Sequence, residues 1–223
     1  MAYRPVSKTG GLYAHEGSTP SSPTQNMIIV IPVILFIFLV CFGLFVLFFV
    51  SRRFSPIPYF PSNHKDITKI IQFLALRDKD ILYDLGAGDG VVIFEAATTS
   101  LASSPRPLKT RFVAVELNPI LVLVIKARAL FHPARAHITV TRDDIFTMTI
   151  PRSPGYSPVF FTYISPWFME KTILNLLRQY KSIELVSYFY AAPRSKHYRI
   201  TIKKHTRNIH DIYRYRIVRR RRV

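Results

Sequence analysis

Cysteine is almost absent. One residue, Cys41, occurs in 223. That excludes a disulfide framework and any Cys/His zinc site, so no metal is expected. Acid is also scarce, with 13 Asp and Glu against 31 Lys and Arg, a formal net charge of +18. No internal repeat is visible, so the length suits one domain of ordinary size with appendages. The charge is unevenly spread. Residues 1–53 carry +3, from Arg4, Lys8, Arg52 and Arg53 against Glu16. Residues 54–193 carry +4, from 15 basic and 11 acidic side chains, and residues 194–223 carry +11, from 12 basic side chains against Asp211. The middle is therefore a mildly basic domain, and most of the excess is terminal.

Charge is wholly missing from Met27 to Val50, a run of 24 residues (MIIVIPVILFIFLVCFGLFVLFFV). As a helix it would reach roughly 36 Å, enough for a hydrocarbon core of about 30 Å, and Pro32 and Gly43 are tolerable in such a helix. A signal peptide has a shorter apolar region and ends in small residues, whereas this run meets Ser51-Arg52-Arg53. A single-pass membrane anchor is expected. Arg52 and Arg53, followed by Lys65 and Lys69, place the downstream chain on the cytoplasmic side, or facing the matrix if the membrane is mitochondrial. Residues 1–26 are Ser-, Thr-, Gly- and Pro-rich and read as a disordered tail, and Met27 offers an alternative start.

After the prolines of residues 54–62 (FSPIPYFPS), helical and strand patterns alternate. Helices are expected over 65–76, 91–98, 120–131 and 168–180. Strands are expected over 81–85, 112–115, 137–140, 159–164 and 183–189. Such alternation implies a parallel sheet covered by helices on both faces. Leu101–Lys109 (LASSPRPLK) reads as an inserted surface loop. Near the end, Tyr198, Ile200 and Ile202 alternate with Arg199, Thr201 and Lys203, and Tyr213, Tyr215 and Ile217 alternate with Arg214 and Arg216. Period two predicts an antiparallel pair with one wet, basic face. The expected fold is an α/β, Rossmann-like sheet of seven strands. The boundaries are 1–26 tail, 27–50 membrane helix, 51–63 linker, 64–218 catalytic domain and 219–223 basic tail.

Four motifs sit at expected strand ends. Tyr83-Asp84-Leu85-Gly86-Ala87-Gly88-Asp89-Gly90 closes a strand and opens a helix. Glycines there permit a sharp turn and close approach to a ligand. The spacing is G-x-G-x-G, not the G-x-G-x-x-G of dinucleotide binders. Asp84 would repel a pyrophosphate and attract a ligand with a cationic amino-acid end, which favours S-adenosyl-L-methionine over NAD. Val115-Glu116-Leu117-Asn118-Pro119 follows: Glu116 can accept from both ribose hydroxyls, while Asn118 and Pro119 suit a helix start. In Arg142-Asp143-Asp144-Ile145-Phe146, one carboxylate can accept from the adenine amino group with Ile145 against the ring; Asp144 is preferred and Asp143 stays open. The cofactor set is Asp84, Gly86, Ala87, Gly88, Asp89, Gly90, Glu116, Leu117, Asn118, Asp144 and Ile145.

Tyr163-Ile164-Ser165-Pro166-Trp167 is the fourth motif. Ligands of open α/β sheets bind beyond the carboxyl ends of the strands, so this segment would border the reacting methyl group. It lacks the acceptor Asn or Asp and the second proline of base-amino methyltransferases. Trp167 is read equally as a core aromatic. Tyr59, Ser165, Pro166 and Trp167 are the substrate-side candidates, and no residue stands out as a general base.

In this order the motifs resemble the lysine methyltransferases that include the mitochondrial ATP synthase c-subunit enzyme and the adenine nucleotide translocase enzyme. The resemblance runs from about Pro58 to Ile217 and rests on Tyr59-Phe60-Pro61-Ser62, Asp84 to Gly90, Phe94-Glu95-Ala96-Ala97, Glu116 to Pro119 and Ser187–Pro193 (SYFYAAP). It implies S-adenosylmethionine-dependent lysine N-methylation of a membrane protein. The Leu101–Lys109 insertion, the Ser-Pro-Trp wording and the Arg219–Arg222 run depart from the family. RNA is the alternative partner, because the basic, Tyr-containing stretch after Pro193 suits a phosphate backbone. Anionic lipid suits the same charge, and a lipid or membrane-associated small molecule is a third class of substrate.

Overall fold

The computed structural model describes residues 23–50, 57, 59–103 and 108–220, with side chains of the first helix described over 30–43. Two compact units result, Met1–Phe48 and Phe49–Val223. The first holds most of α1 (Pro23–Val50), which begins four residues before Met27. Its described side chains are exposed apart from Gly43, which is half-buried. Among the described residues, no helix is long and apolar enough to cross a membrane. The expected span of 27–50 runs past residues 30–43 at both ends, outside the described side chains. Most of the expected tail (1–22), part of the linker (51–56 and 58), 104–107 and 221–223 also lie outside the described residues.

The second unit is one seven-stranded sheet in the order β3-β2-β1-β4-β5-β7-β6. The elements are α2 (His64–Leu74), β1 (Asp80–Leu85), α3 (Val91–Ser103), β2 (Arg111–Glu116), α4 (Pro119–Leu130), β3 (Ile138–Arg142), β4 (Ser157–Thr162), α5 (Pro166–Gln179), β5 (Ser182–Tyr188), β6 (Tyr198–Arg207) and β7 (Asp211–Arg219). The first five strands run parallel, and β7 enters antiparallel between β5 and β6. Parallel strands buried on both faces need continuous apolar runs, and β1 (DILYDL) is buried at every residue. Leu82, Phe112, Ala114, Val159, Phe161 and Val186 point to one face, where Ile67, Ile70 and Leu74 of α2, Ile93 and Ala97 of α3 and Ile125 of α4 pack. Ile81, Tyr83, Leu85, Val115, Phe160 and Leu185 point to the other, against Met169, Ile173 and Leu176 of α5 and against Ile145, Phe146, Met148 and Ile150 of the loop after β3. Helices therefore cover both faces, as expected.

The hairpin differs from its expected pattern. Ile200 pairs with Ile217, but Ile202 pairs with Arg216, the next residue along β7. The bulge between them moves Ile202 to the opposite face, where it is exposed. A strand-only alternation cannot foresee an extra residue. Nor is one side of β7 simply wet: Ile212 is buried, and Arg214 donates to the Phe73 and Leu74 carbonyls at the end of α2 and to Glu184 at 2.6 Å. The expected basic tail is also shorter. Arg219 ends β7, and the Arg220 N–H donates to the His197 carbonyl. The expected insertion at 101–109 narrows likewise, since α3 continues through Ser103 and Leu108 is buried.

Candidate active site

Strand order reverses between β1 and β4, which opens a crevice beyond their carboxyl ends. The loop from Gly86 to Gly90 fills its edge. Gly88 has φ +59, and a Cβ there would stand 2.5 Å from the Tyr59 ring. Gly90 has φ +78, and its Cβ would meet Phe94 at 2.9 Å and Ile125 at 3.2 Å. Both glycines are thus required by backbone conformation and by space. Ala87 is buried in the core beneath the loop, and Gly86 and Ala87 donate to the Val115 carbonyl at 2.9 and 3.0 Å.

Three carboxylates converge on this loop. Glu116, at the end of β2, accepts from Gly88 N at 2.9 Å and from Leu117 N and Asn118 N at 2.8 Å each. A carboxylate has about four acceptor positions, so three bonds lock Glu116 and leave acceptor capacity for a ligand hydroxyl. Burial pushes its pKa up, and the three backbone donors pull it back in part. Asp89 accepts from Val91 N at 3.3 Å and meets Arg128 at 3.1 Å; it also binds the Tyr59 hydroxyl. Burial and then the charge of Asp89 raise the Tyr59 pKa. Asp89 therefore starts α3 and holds Tyr59 and α4 together.

Asp84 stands apart. It is 3% exposed, and its pKa is pushed well above the usual range by desolvation and then by Glu116 and Asp89. Neither a hydrogen bond nor a cation among the described residues offsets this. A carboxylate in that position is suited to a cationic ligand group and repels a phosphate.

The remaining candidates sort by place. Asn118 caps α4, accepting from Ile120 N at 3.0 Å and Leu121 N at 3.3 Å, and Pro119 follows as expected. Leu117, between Glu116 and Asn118, is half-buried. Asp144 accepts from Phe146 N at 2.9 Å, and Asp143 accepts from Asp144 N at 2.8 Å, so both shape the turn after β3. Ile145 is buried in the core beside Leu85 and Val115. Ser165 caps α5 through its backbone, Pro166 opens the helix, and Trp167 is 83% exposed. The reading of Trp167 as a core aromatic is thereby corrected: the first turn of α5 points it to solvent.

Sequence reasoning missed two groups. One is Arg128, whose link to Asp89 depends on how α4 packs beside α3 and has no local signal. The other is the aromatic cluster at the ends of β4 and β5. Tyr163 lies 4.8 Å from Tyr188, 6.1 Å from Phe189 and 6.4 Å from Tyr190, centroid to centroid. Phe189 is held at φ +70, an unusual conformation for a bulky residue and a frequent mark of a functional position. Its visible signals were Tyr163, which opens the fourth motif, and the run Ser187–Pro193. Among the described residues, no group of three or more His, Cys, Asp or Glu could hold a metal ion.

No family model matches the chain. No curated protein matches it either. Solved structures do. An RNA methyltransferase from Salinibacter ruber, in complex with S-adenosyl-L-homocysteine, is similar at 21% identity with a TM-score of 0.56, covering 74% of this chain and 97% of its own. A 23S rRNA methyltransferase, ErmE, aligns at 18% identity and a TM-score of 0.47, over 73% of this chain and 70% of its own. A precorrin-6y C5,15-methyltransferase from Geobacter metallireducens aligns at 16% and 0.46, over 72% and 90%. The Salinibacter ruber likeness establishes that the second unit has a fold found in methyltransferases that use S-adenosylmethionine.

Proposed function

We propose that this chain is an S-adenosylmethionine-dependent methyltransferase. The carrying observation is Asp84, a buried carboxylate beside Asp89 and Glu116 with no described hydrogen bond or cation to offset it. S-adenosylmethionine, which supplies an electrophilic methyl group, is cationic at both its sulfonium and its ammonium. Asp84 suits the amino-acid end, the glycine turn admits the backbone close to the ligand, and Glu116 suits the ribose. Asp143 or Asp144 remains the candidate for the adenine end. The neighbouring structures agree in kind, since the Salinibacter ruber enzyme is described with S-adenosyl-L-homocysteine. Calorimetric titration of the full chain in detergent tests this. Binding that is lost in Glu116→Ala and Asp84→Asn supports the reading; identical isotherms for wild type and both variants refute it.

The finer reading is N-methylation of a lysine on a membrane protein, by an enzyme anchored through residues 27–50. It rests on the uncharged run, the resemblance described above and the aromatic cluster of Tyr163, Phe189 and Tyr190 at the strand ends. Aromatic faces attract alkylammonium groups, and an apolar surround lowers the pKa of an amine that must lose its proton before attack. These residues would orient the acceptor and exclude water, with no assigned base.

RNA is the second reading, favoured by the exposed Arg199, Lys203, Lys204 and Arg207 of the edge strand β6, with Lys203 5.1 Å from the Tyr213 ring. A lipid or small membrane-associated acceptor is the third. Incubation with labelled S-adenosylmethionine and a membrane fraction separates them. Label in protein supports lysine methylation, and label confined to RNA or lipid refutes it.

A further inference from the structure

Helix α4 has an apolar side that none of the described residues of the catalytic unit covers. Leu121, Val122 and Ile125 are buried against the sheet. Leu123 is 64% exposed, Leu130 66% and Phe131 89%, and Ile120, Val124 and Ala127 are exposed as well. At about 100° per residue these six positions fall within an arc of about 120°. Lys126 lies at one rim of that arc and Arg135 follows the helix end, while Arg128 at the other rim is paired with Asp89. The helix contains no acidic residue. An ordinary surface helix of an α/β domain carries polar side chains here.

We infer that this face of α4 lies in the surface of an anionic lipid bilayer, a reading that rests on the membrane part of the proposed function and gives the catalytic unit its orientation. An apolar stripe flanked by exposed cations is the pattern of an interfacial helix: the stripe enters the acyl boundary while Lys126 and Arg135 meet lipid phosphates. A second copy fits less well. A stripe of 12 residues measures roughly 18 by 10 Å, so a self-paired contact would bury about 400 Å², well under the ~1,200 Å² of a stable interface. It would also bring the rim cations of two copies together. Within the catalytic unit, Tyr59 packs on Gly88 and binds Asp89, and Asp89 holds Arg128 of α4. Ile120 follows Glu116 by four residues across the β2–α4 junction, so this face begins at the cofactor end of the sheet.

The test uses the full chain with Cys41→Ser and a single new cysteine carrying a nitrobenzoxadiazole label. It is reconstituted in phosphatidylcholine vesicles with phosphatidylglycerol. At Ala127→Cys, emission shifts to the blue and falls when a lipid-borne quencher is present; at Lys171→Cys, on the opposite face of the sheet, neither occurs. Leu123→Glu combined with Phe131→Glu, both at solvent-exposed positions, abolishes the response at 127 while the chain still floats with the vesicles. A label at 127 that behaves like one at 171 in floating vesicles overturns the inference and leaves the anchor intact. Shielding at 127 that disappears below one chain per vesicle marks a second copy and overturns it too. A chain that fails to float refutes the anchor itself.

Discussion

Two buried carboxylates, Asp66 in α2 and Asp84 at the end of β1, meet opposite fates. Asp66 is fully buried and surrounded by donors: Tyr188 Oη at 2.7 Å, His210 Nδ1 and Ile209 N at 2.8 Å each, and His210 N at 3.2 Å. Burial alone would raise its pKa, but these bonds outweigh it and lower the value. Asp84 is almost as closed to solvent and lies deeper, receives no such bonds among the described residues, and is raised well above the usual range. The first ties α2 to β5 and to the β6–β7 turn. The second leaves an electrostatic demand that no described residue meets. Solvent exposure thus distinguishes neither role; depth in the protein and the number of donors do.

Asp66→Ala should break the first half of this contrast most severely. It leaves the Ile209 N–H without its acceptor and the Tyr188 hydroxyl and His210 ring with only each other, and unfolding by urea should show a loss of about 2 to 3 kcal/mol. Cofactor affinity per folded molecule should hold. Asp84→Asn should do the reverse. Calorimetry should show affinity for S-adenosylmethionine reduced by about 100-fold, or about 2.7 kcal/mol, with no loss of Tm. A fall in Tm as large as that of Asp66→Ala would erase the distinction.

Acidity sharpens the comparison. The Asp66 pKa is lowered in the folded state, so its contribution is present above the unfolded carboxylate value near 3.9 and is lost as pH falls below it. The Asp84 pKa is raised, so its contribution is full below the unfolded value and disappears as pH rises through the folded one. A cationic ligand selects ionised Asp84, so binding should release protons between those two values. Titrations in buffers of different ionisation enthalpy should detect the release in wild type and miss it in Asp84→Asn.

Smaller effects test the loop between the two. Gly88→Ala forces a Cβ against Tyr59 at φ +59 and should cost about 2 kcal/mol; in a Tyr59→Ala background the cost should shrink to the backbone part, about 1 kcal/mol. Asn118→Ala removes the cap of α4 and should cost about 1 kcal/mol by thermal melting.

The core of the sheet was legible because its strands bury both faces. Ile81–Leu85 and Phe112–Val115 are short apolar runs closed by glycines or by Asn118-Pro119, and each appears as a strand within a residue or so of its expected bounds. Glu116 and Asp84 were visible for the same reason, as acids at the ends of apolar runs. The edge was harder to read. The bulge at Ile200 and Ile202 is set by pairing with β7, and the fate of Trp167 depended on which side of α5 faces the sheet.

Local chemistry by itself determined the order of strands and helices, the glycine turn, the helix cap at Asn118 and the uncharged run at 27–50, because each depends on residues adjacent in the chain. Tertiary structure alone decided the rest. It placed Asp66 among donors more than 120 residues away, left Asp84 without any among the described residues, joined Tyr59 and Arg128 through Asp89, and turned five apolar side chains of α4, with Phe131 at its cap, outward. Those outcomes depend on which distant groups share a buried space, and burial energies are set by neighbours in three dimensions rather than along the chain.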